Sequence, residues 1–243
     1  MKRTFHFFIF ISLFLLPGCG GVVNFVKNTF PQAQKYKTLM GKMRPYLQHL
    51  YLYDQFNTVA LFDALWLSDE ARTLYAQVYA DMMGKNMQET SSFLRRQLQS
   101  NEHFISFYVL STLDIPLSVK PIPWALHLEI DGKKYVPEEV KAVDLAQAYR
   151  MFFRTSFDEH KQAYEVKFQR VLADGTIVLS EGVEHALALV FSNGMYYSRM
   201  VWHVDASGNC IQKSIEKMVI NESVSASLKE HERKKKYKKR ARL

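Results

Sequence analysis

The sequence is poor in cysteine, lacks the short motifs that announce catalysis, and has no apolar run long enough to cross a bilayer. Its two cysteines, Cys19 and Cys210, are far apart, which excludes a CxxC redox centre. None of the pairs Glu102-His103, Glu159-His160, Glu184-His185 and His231-Glu232 extends to HExxH, the spacing that sets two zinc-binding imidazoles one helical turn apart. A GxSxG nucleophile elbow, a GxGxxG turn and a GxxxxGKS/T phosphate loop are also missing, so no cofactor is implied. No repeat of 20 to 50 residues points to a solenoid, and the lack of regular βαβ alternation argues against a parallel sheet. The longest candidate span, residues 5–16, has twelve mostly apolar positions. As a helix it would reach about 18 Å, against a hydrocarbon core of roughly 30 Å.

What is present at the amino terminus is an export signal. Lys2 and Arg3 precede the apolar run, and Leu16-Pro17-Gly18-Cys19 follows it. This ending resembles the lipobox of bacterial lipoproteins, an aliphatic residue and two positions that are usually small before a cysteine; Pro17 departs from that pattern. The resemblance covers residues 1–20 only. It implies cleavage after residue 18, a diacylglycerol thioether on Cys19 and, usually, acylation of the new amino group. Two or three acyl chains make membrane attachment durable where one does not. Gly20 stands where an aspartate often retains lipoproteins in the inner membrane, so the outer membrane is expected if the cell has one. With Cys19 lipidated, Cys210 has no intramolecular partner, and a buried free thiol is expected.

The charge is confined. Residues 229–243 hold nine Lys/Arg and two Glu, a net of +7, whereas residues 19–228 hold 21 basic and 22 acidic residues. Such a tail repels itself and cannot bury a core. Arg233, Lys234, Lys235, Lys236, Lys238, Lys239 and Arg240 suit phosphate-rich partners: anionic lipid or an envelope polymer. Nucleic acid is set aside, because no recognition motif supports it and the protein is exported.

Between these ends the composition, 48% hydrophobic and 14% aromatic, is that of a globular protein. The expected organisation is a signal peptide at 1–18, a tether at 19–30, one folded domain at 31–228 (helix-rich over 31–100, strand-rich over 101–220) and the tail. Ala33, Tyr36, Met40 and Met43 predict a short helix after Pro31. Residues 46–67 have an ambiguous period, with a buried strand expected over 58–67. Ser68-Asp69-Glu70 then starts a helix whose stripe is Ala71, Leu74, Tyr75, Val78, Tyr79 and Met82, interrupted at Gly84 and resumed by Met87, Leu94 and Leu98.

Strands are expected over 103–113, 124–130, 164–168, 177–179, 185–191 and 195–204, with turns at Asp131-Gly132, Asp174-Gly175, Asn193-Gly194 and Ser207-Gly208-Asn209. An interval opening at Pro137-Glu138-Glu139 has helical spacing at Leu145, Ala148, Tyr149, Phe152 and Phe153, and 211–220 fits either helix or strand. The fold expected is α+β: a mainly antiparallel, immunoglobulin-like β-sandwich with a long amphipathic helix and shorter ones.

Alternation places His127 and Glu129, Glu165 and Lys167, and Arg199 and His203 on outward sheet faces. A solvated face is their ordinary meaning; if their strands were neighbours, His127, Glu129, Glu165, Arg199 and His203 could form a small-ligand, metal or hydrolytic site. Trp124, Trp202, Tyr196 and Tyr197 could make an aromatic surface for sugars or peptides, although core packing is their commoner use. The reading of the whole is a non-enzymatic envelope lipoprotein that docks another envelope protein or polymer.

Overall fold

A computed structural model describes residues 31–211 apart from 56, 121–123 and 181. The chain divides into two compact units, residues 1–42 and 43–243. Most of helix α1 (Pro31–Met43) lies in the first. The second contains the remaining described helices, α2 (Asp69–Met83), α3 (Met87–His103) and α4 (Gln147–Phe153). It also contains the strands β1 (Leu47–Asp54), β2 (Asn57–Trp66), β3 (Phe104–Thr112), β4 (Ala125–Ile130), β5 (Lys133–Tyr135), β6 (Glu139–Val143), β7 (Lys161–Gln169), β8 (His185–Ser192), β9 (Tyr197–Val204) and β10 (Cys210–Ile211).

The strands form two antiparallel five-stranded sheets, in the orders β1-β2-β3-β7-β6 and β10-β9-β8-β4-β5. Period-two alternation gives each sheet an apolar inner face, and aromatic rings join the two faces. Phe62 of β2 stacks on Phe191 of β8 with centroids 4.2 Å apart and meets Trp124 edge-on at 5.4 Å; Phe107 of β3 lies 5.3 Å from Trp202 of β9. Burying each of these rings stabilises the fold by about 1.5–3 kcal/mol. The indole of Trp202 donates to the Tyr46 carbonyl at 3.0 Å, which satisfies its one polar atom inside the core.

Helices cover the outer face of the first sheet around β3. Tyr149 of α4 packs edge-on against Tyr108 of β3 at 4.8 Å and stacks on Tyr75 of α2 at 3.6 Å. The helix expected from Ser68 is two helices. Ser68 Oγ accepts from Ala71 N at 3.2 Å to start α2, and Gly84 ends it at φ +61°, a left-handed conformation that a side chain would strain. Asn86 and Glu89 then form a reciprocal capping box that starts α3.

The buried strand expected over 58–67 is β2; it forms a hairpin with β1, and the ambiguous period of 46–67 arises because the inner face of β2 meets the other sheet while its outer face is also largely buried. A further expectation is corrected. The interval opened by Pro137-Glu138-Glu139 begins as strand: β6 pairs with β7, and Glu139 reaches Lys167 at 2.8 Å, before the helical spacing takes hold at Gln147. Asp131 and Gly132, at φ +49° and +81°, make the tight turn expected between β4 and β5. The expected strand over 177–179 contributes one isolated bridge, Val171 with Ile177. Most of 211–220 lies outside the described residues.

Candidate functional site

The five outward residues named from sequence do not converge. His127 and Glu129 project from the outer face of β4, and the ladder runs His127, Val190, Arg199 across β4, β8 and β9. His127 Nε2 is 3.3 Å from Glu129 Oε1, the Lys134 ammonium is 3.6 Å from the same oxygen, and the Tyr197 hydroxyl donates to it at 3.5 Å. Burial, then the Glu129 charge, raises the pKa of Tyr197 above its ordinary value. His203 lies nearer the other end of β9, opposite Ala186 and Ile211. Glu165 belongs to the other sheet, on the face beneath the helices, where it lies 3.2 Å from Lys167. The second group is thus an ion-pair ladder. Burial pulls Lys167 down, but Glu139 and Glu165 outweigh it and leave it raised, while Glu139 is held below its ordinary value by Lys167.

Trp124 and Trp202 are core residues. Tyr196 stacks on Trp124 at 6.4 Å and donates to Asp54 at 3.1 Å, leaving Tyr197 and Met195 more exposed beside it. Cys210 is a half-buried free thiol that donates to the Pro45 carbonyl at 3.2 Å, and burial pushes it up to about 12. It is therefore protonated and unreactive at neutral pH.

Two polar constellations escaped the sequence reading. In the first, His185 Nδ1 contacts Asp131 Oδ2 at 2.6 Å, and its Nε2 lies 3.2 Å from Ser180 Oγ and 3.0 Å from the Ser180 carbonyl oxygen. The residue types are those of a hydrolytic triad, but a carbonyl can only accept. With Nδ1 on Asp131 and Nε2 facing Ser180, the ring is a clasp between the β4–β5 turn and the loop before β8. Burial raises Asp131, but hydrogen bonds from His185 and Ala186 N outweigh it and hold the carboxyl below its ordinary range.

In the second, the Asp63 carboxylate, 1% exposed, receives Lys161 Nζ at 2.6 Å and His49 Nδ1 at 2.5 Å. His49 stacks on Tyr51, and Tyr51 and Tyr53 are more than half exposed on the same outward face of β1, which is the edge of its sheet. Strand pairing brings His49, Asp63 and Lys161 together from β1, β2 and β7, across Leu110 of β3. A signal existed in the sequence, an acidic residue inside an apolar run, but its partners are remote in the chain.

A groove of about 360 Å³ between α2 and α3 is lined by Tyr79, Lys85, Glu89, Phe93 and Arg96, among others. Lys85 and Glu89 pair with each other there at 2.9 Å. Among the described residues no three His, Cys, Asp or Glu side chains are placed to hold a metal ion, and no helix is long and apolar enough to cross a membrane. Cys19 and the basic residues of 229–243 lie outside the described residues. Comparison with protein-family models, with characterised proteins and with solved structures finds no match to this chain.

Proposed function

We propose that the protein is a membrane-tethered binding module of the bacterial cell envelope, anchored through acylated Cys19 and without catalytic activity of its own. The observation that carries this reading is dispersal. Among the described residues, the side chains with chemical capacity lie on two different sheets and at a turn, and they engage one another rather than opening into a shared cleft. Exposed tyrosines at 51, 53 and 197 offer contact area suited to docking a protein or polymer. In a diderm cell the site of anchoring is the outer membrane, facing the periplasm.

The sandwich is read as immunoglobulin-like. Strands β2-β3-β7-β6 follow the order ABED and β9-β8-β4-β5 the order GFCC′ of that fold, with β1 and β10 added at the two edges. The helices enter between A and B and between D and E, and neither B nor F carries the cysteine that joins these strands in antibody domains. Fold alone assigns no partner.

The basic tail adds a second contact, with anionic lipid or an envelope polymer, at roughly 1 kcal/mol per basic residue near the surface as an upper guide. Fatty-acid labelling of wild type and Cys19→Ser tests the anchor: label is expected on the first alone, and equal labelling of both excludes Cys19. Crosslinking in intact cells tests the docking role. Recovery of one envelope component in constant proportion supports it, and recovery of monomer only counts against it.

A further inference from the structure

The groove of about 360 Å³ between α2 and α3 takes its walls from two helical rows. On α3, Gln88, Ser92 and Arg96 stand at i, i+4 and i+8, so they fall on one side and cover about 12 Å of its length. On α2 the wall is Tyr79, and spacings of three and four residues carry Met82 and Met83 onward along the same side. The floor is tied to the core: Tyr79 stacks on Phe93 at 4.4 Å, Phe93 meets Tyr75 at 5.7 Å, and Tyr75 stacks on Tyr149 of α4 at 3.6 Å.

The polar groups of the groove are unequally used. Lys85 Nζ donates to Glu89 Oε1 at 2.9 Å, and Glu89 Oε2 accepts from Asn86 N at 3.1 Å, so both carboxylate oxygens are committed to the turn. Gln88, Ser92 and Arg96 are exposed and have no hydrogen bond or ion pair among the described residues. The lining therefore holds two cations against one engaged carboxylate, with the unmatched charge at the Arg96 end. Beside Tyr79, Met82 and Met83 are 40% and 59% exposed, although methionine is a residue type usually buried.

An unmatched guanidinium, a free amide and hydroxyl, and unpartnered apolar surface fit a ligand with a carboxylate at one end and apolar groups along its length. Acidic glycans and acidic peptides both supply the carboxylate. The methionines decide between them: a thioether is a poor acceptor for sugar hydroxyls but shapes itself readily to apolar side chains. A wall of about 12 Å accommodates about two helical turns or four extended residues of peptide.

We propose that this groove docks an acidic peptide segment of a partner protein, its apolar side chains seated on Tyr79, Phe93, Met82 and Met83 and a carboxylate paired with Arg96. This rests on the docking role proposed above and names the surface that performs it. The test is a titration of the full chain, as Cys19→Ser, with a short synthetic peptide of alternating leucine and glutamate, followed by methionine-methyl NMR. The methyls of Met82 and Met83 should shift, while those of Met195, exposed between β8 and β9, and of buried Met200 should not. Arg96→Gln should weaken binding about ten-fold, the loss of one charge-assisted hydrogen bond, and Met83→Gln should weaken it too; both sites are exposed, so neither variant threatens the fold. The lysine counterpart of the peptide should leave these methyls in place. Shifts absent at Met82 and Met83, or binding unchanged in Arg96→Gln, as when the basic tail alone holds the peptide, would overturn the proposal. So would an oligogalacturonate that moves those methyls while the peptide does not, which would give the groove to a glycan. Crosslinking in intact cells that still recovers a partner after such a result would leave the docking role standing and strike only this surface.

Discussion

Replacing Lys161 with Met removes the ammonium that meets Asp63, while keeping an unbranched apolar stem of similar length. Asp63 is 1% exposed and the Lys161 side chain 8%, so solvent cannot take the place of the missing charge. Removing one partner of a buried ion pair costs about 3–5 kcal/mol, because the other is left charged and dry. Here His49, 2.5 Å from the second carboxylate oxygen, remains in place and should bring the loss towards the lower end. About 3 kcal/mol is a large share of the 5–15 kcal/mol by which domains are usually stable, and it corresponds to a fall of about 6–12 °C in melting temperature for a domain of this size.

The double variant Asp63→Leu with Lys161→Met replaces the pair by apolar groups and should recover most of the loss. The assay is urea unfolding followed by the buried tryptophans, with equal m-values required before the midpoints are compared. Two results refute the reasoning: a loss below about 1 kcal/mol in Lys161→Met, or a double variant as unstable as the sum of the single ones.

Further outcomes follow from the same geometry. Asp131 is held below its ordinary value in the folded state, so its contribution is present above the unfolded carboxylate range and is lost as pH falls through the folded value; Asp131→Asn should flatten that part of an acid-unfolding profile. Because its side chain is 50% exposed, the change should be small, and an unaltered profile would remove the clasp from the stability of the turn. In a Cys19→Ser background, Cys210, pushed up to about 12, should be almost wholly thiol at pH 8 and react with a disulfide reagent only after denaturant is added. Fast labelling of the native protein would contradict its burial. Asn86→Ala removes the capping-box acceptor of α3 and should cost about 1 kcal/mol by urea unfolding.

Where one face of an element is dry and the other wet, the chain announced it. The stripe of α2, the alternation of Leu126, Leu128 and Ile130, and the Asp131-Gly132 turn were all legible because each is a local solution to burial. The buried strand over 58–67 was legible from the helix start that follows it, but its hairpin with β1 was not, since β2 is buried on both faces and period two disappears from its composition. Glu139 to Val143 reads as the opening of a helix, and becomes a strand only because β7 is available to pair with it.

The polar clusters were hidden for a related reason. Asp63 and Lys161 stand 98 residues apart, and Asp131 and His185 stand 54 apart, so only sheet pairing makes them neighbours. Pairing also separates what alternation had grouped: Glu165 shares an outward period with His127 and Arg199, yet it belongs to the other sheet.

Tethered binding through a second, electrostatic contact is tested most directly by vesicle co-sedimentation of the Cys19→Ser chain, which carries no lipid to mask the effect, with and without residues 229–243. The intact tail should bind anionic vesicles, bind neutral ones weakly, and lose affinity as salt rises, because its net charge of +7 is screened. The shortened chain should bind neither. Equal, salt-sensitive binding of both chains to anionic vesicles would contradict the role assigned to the tail.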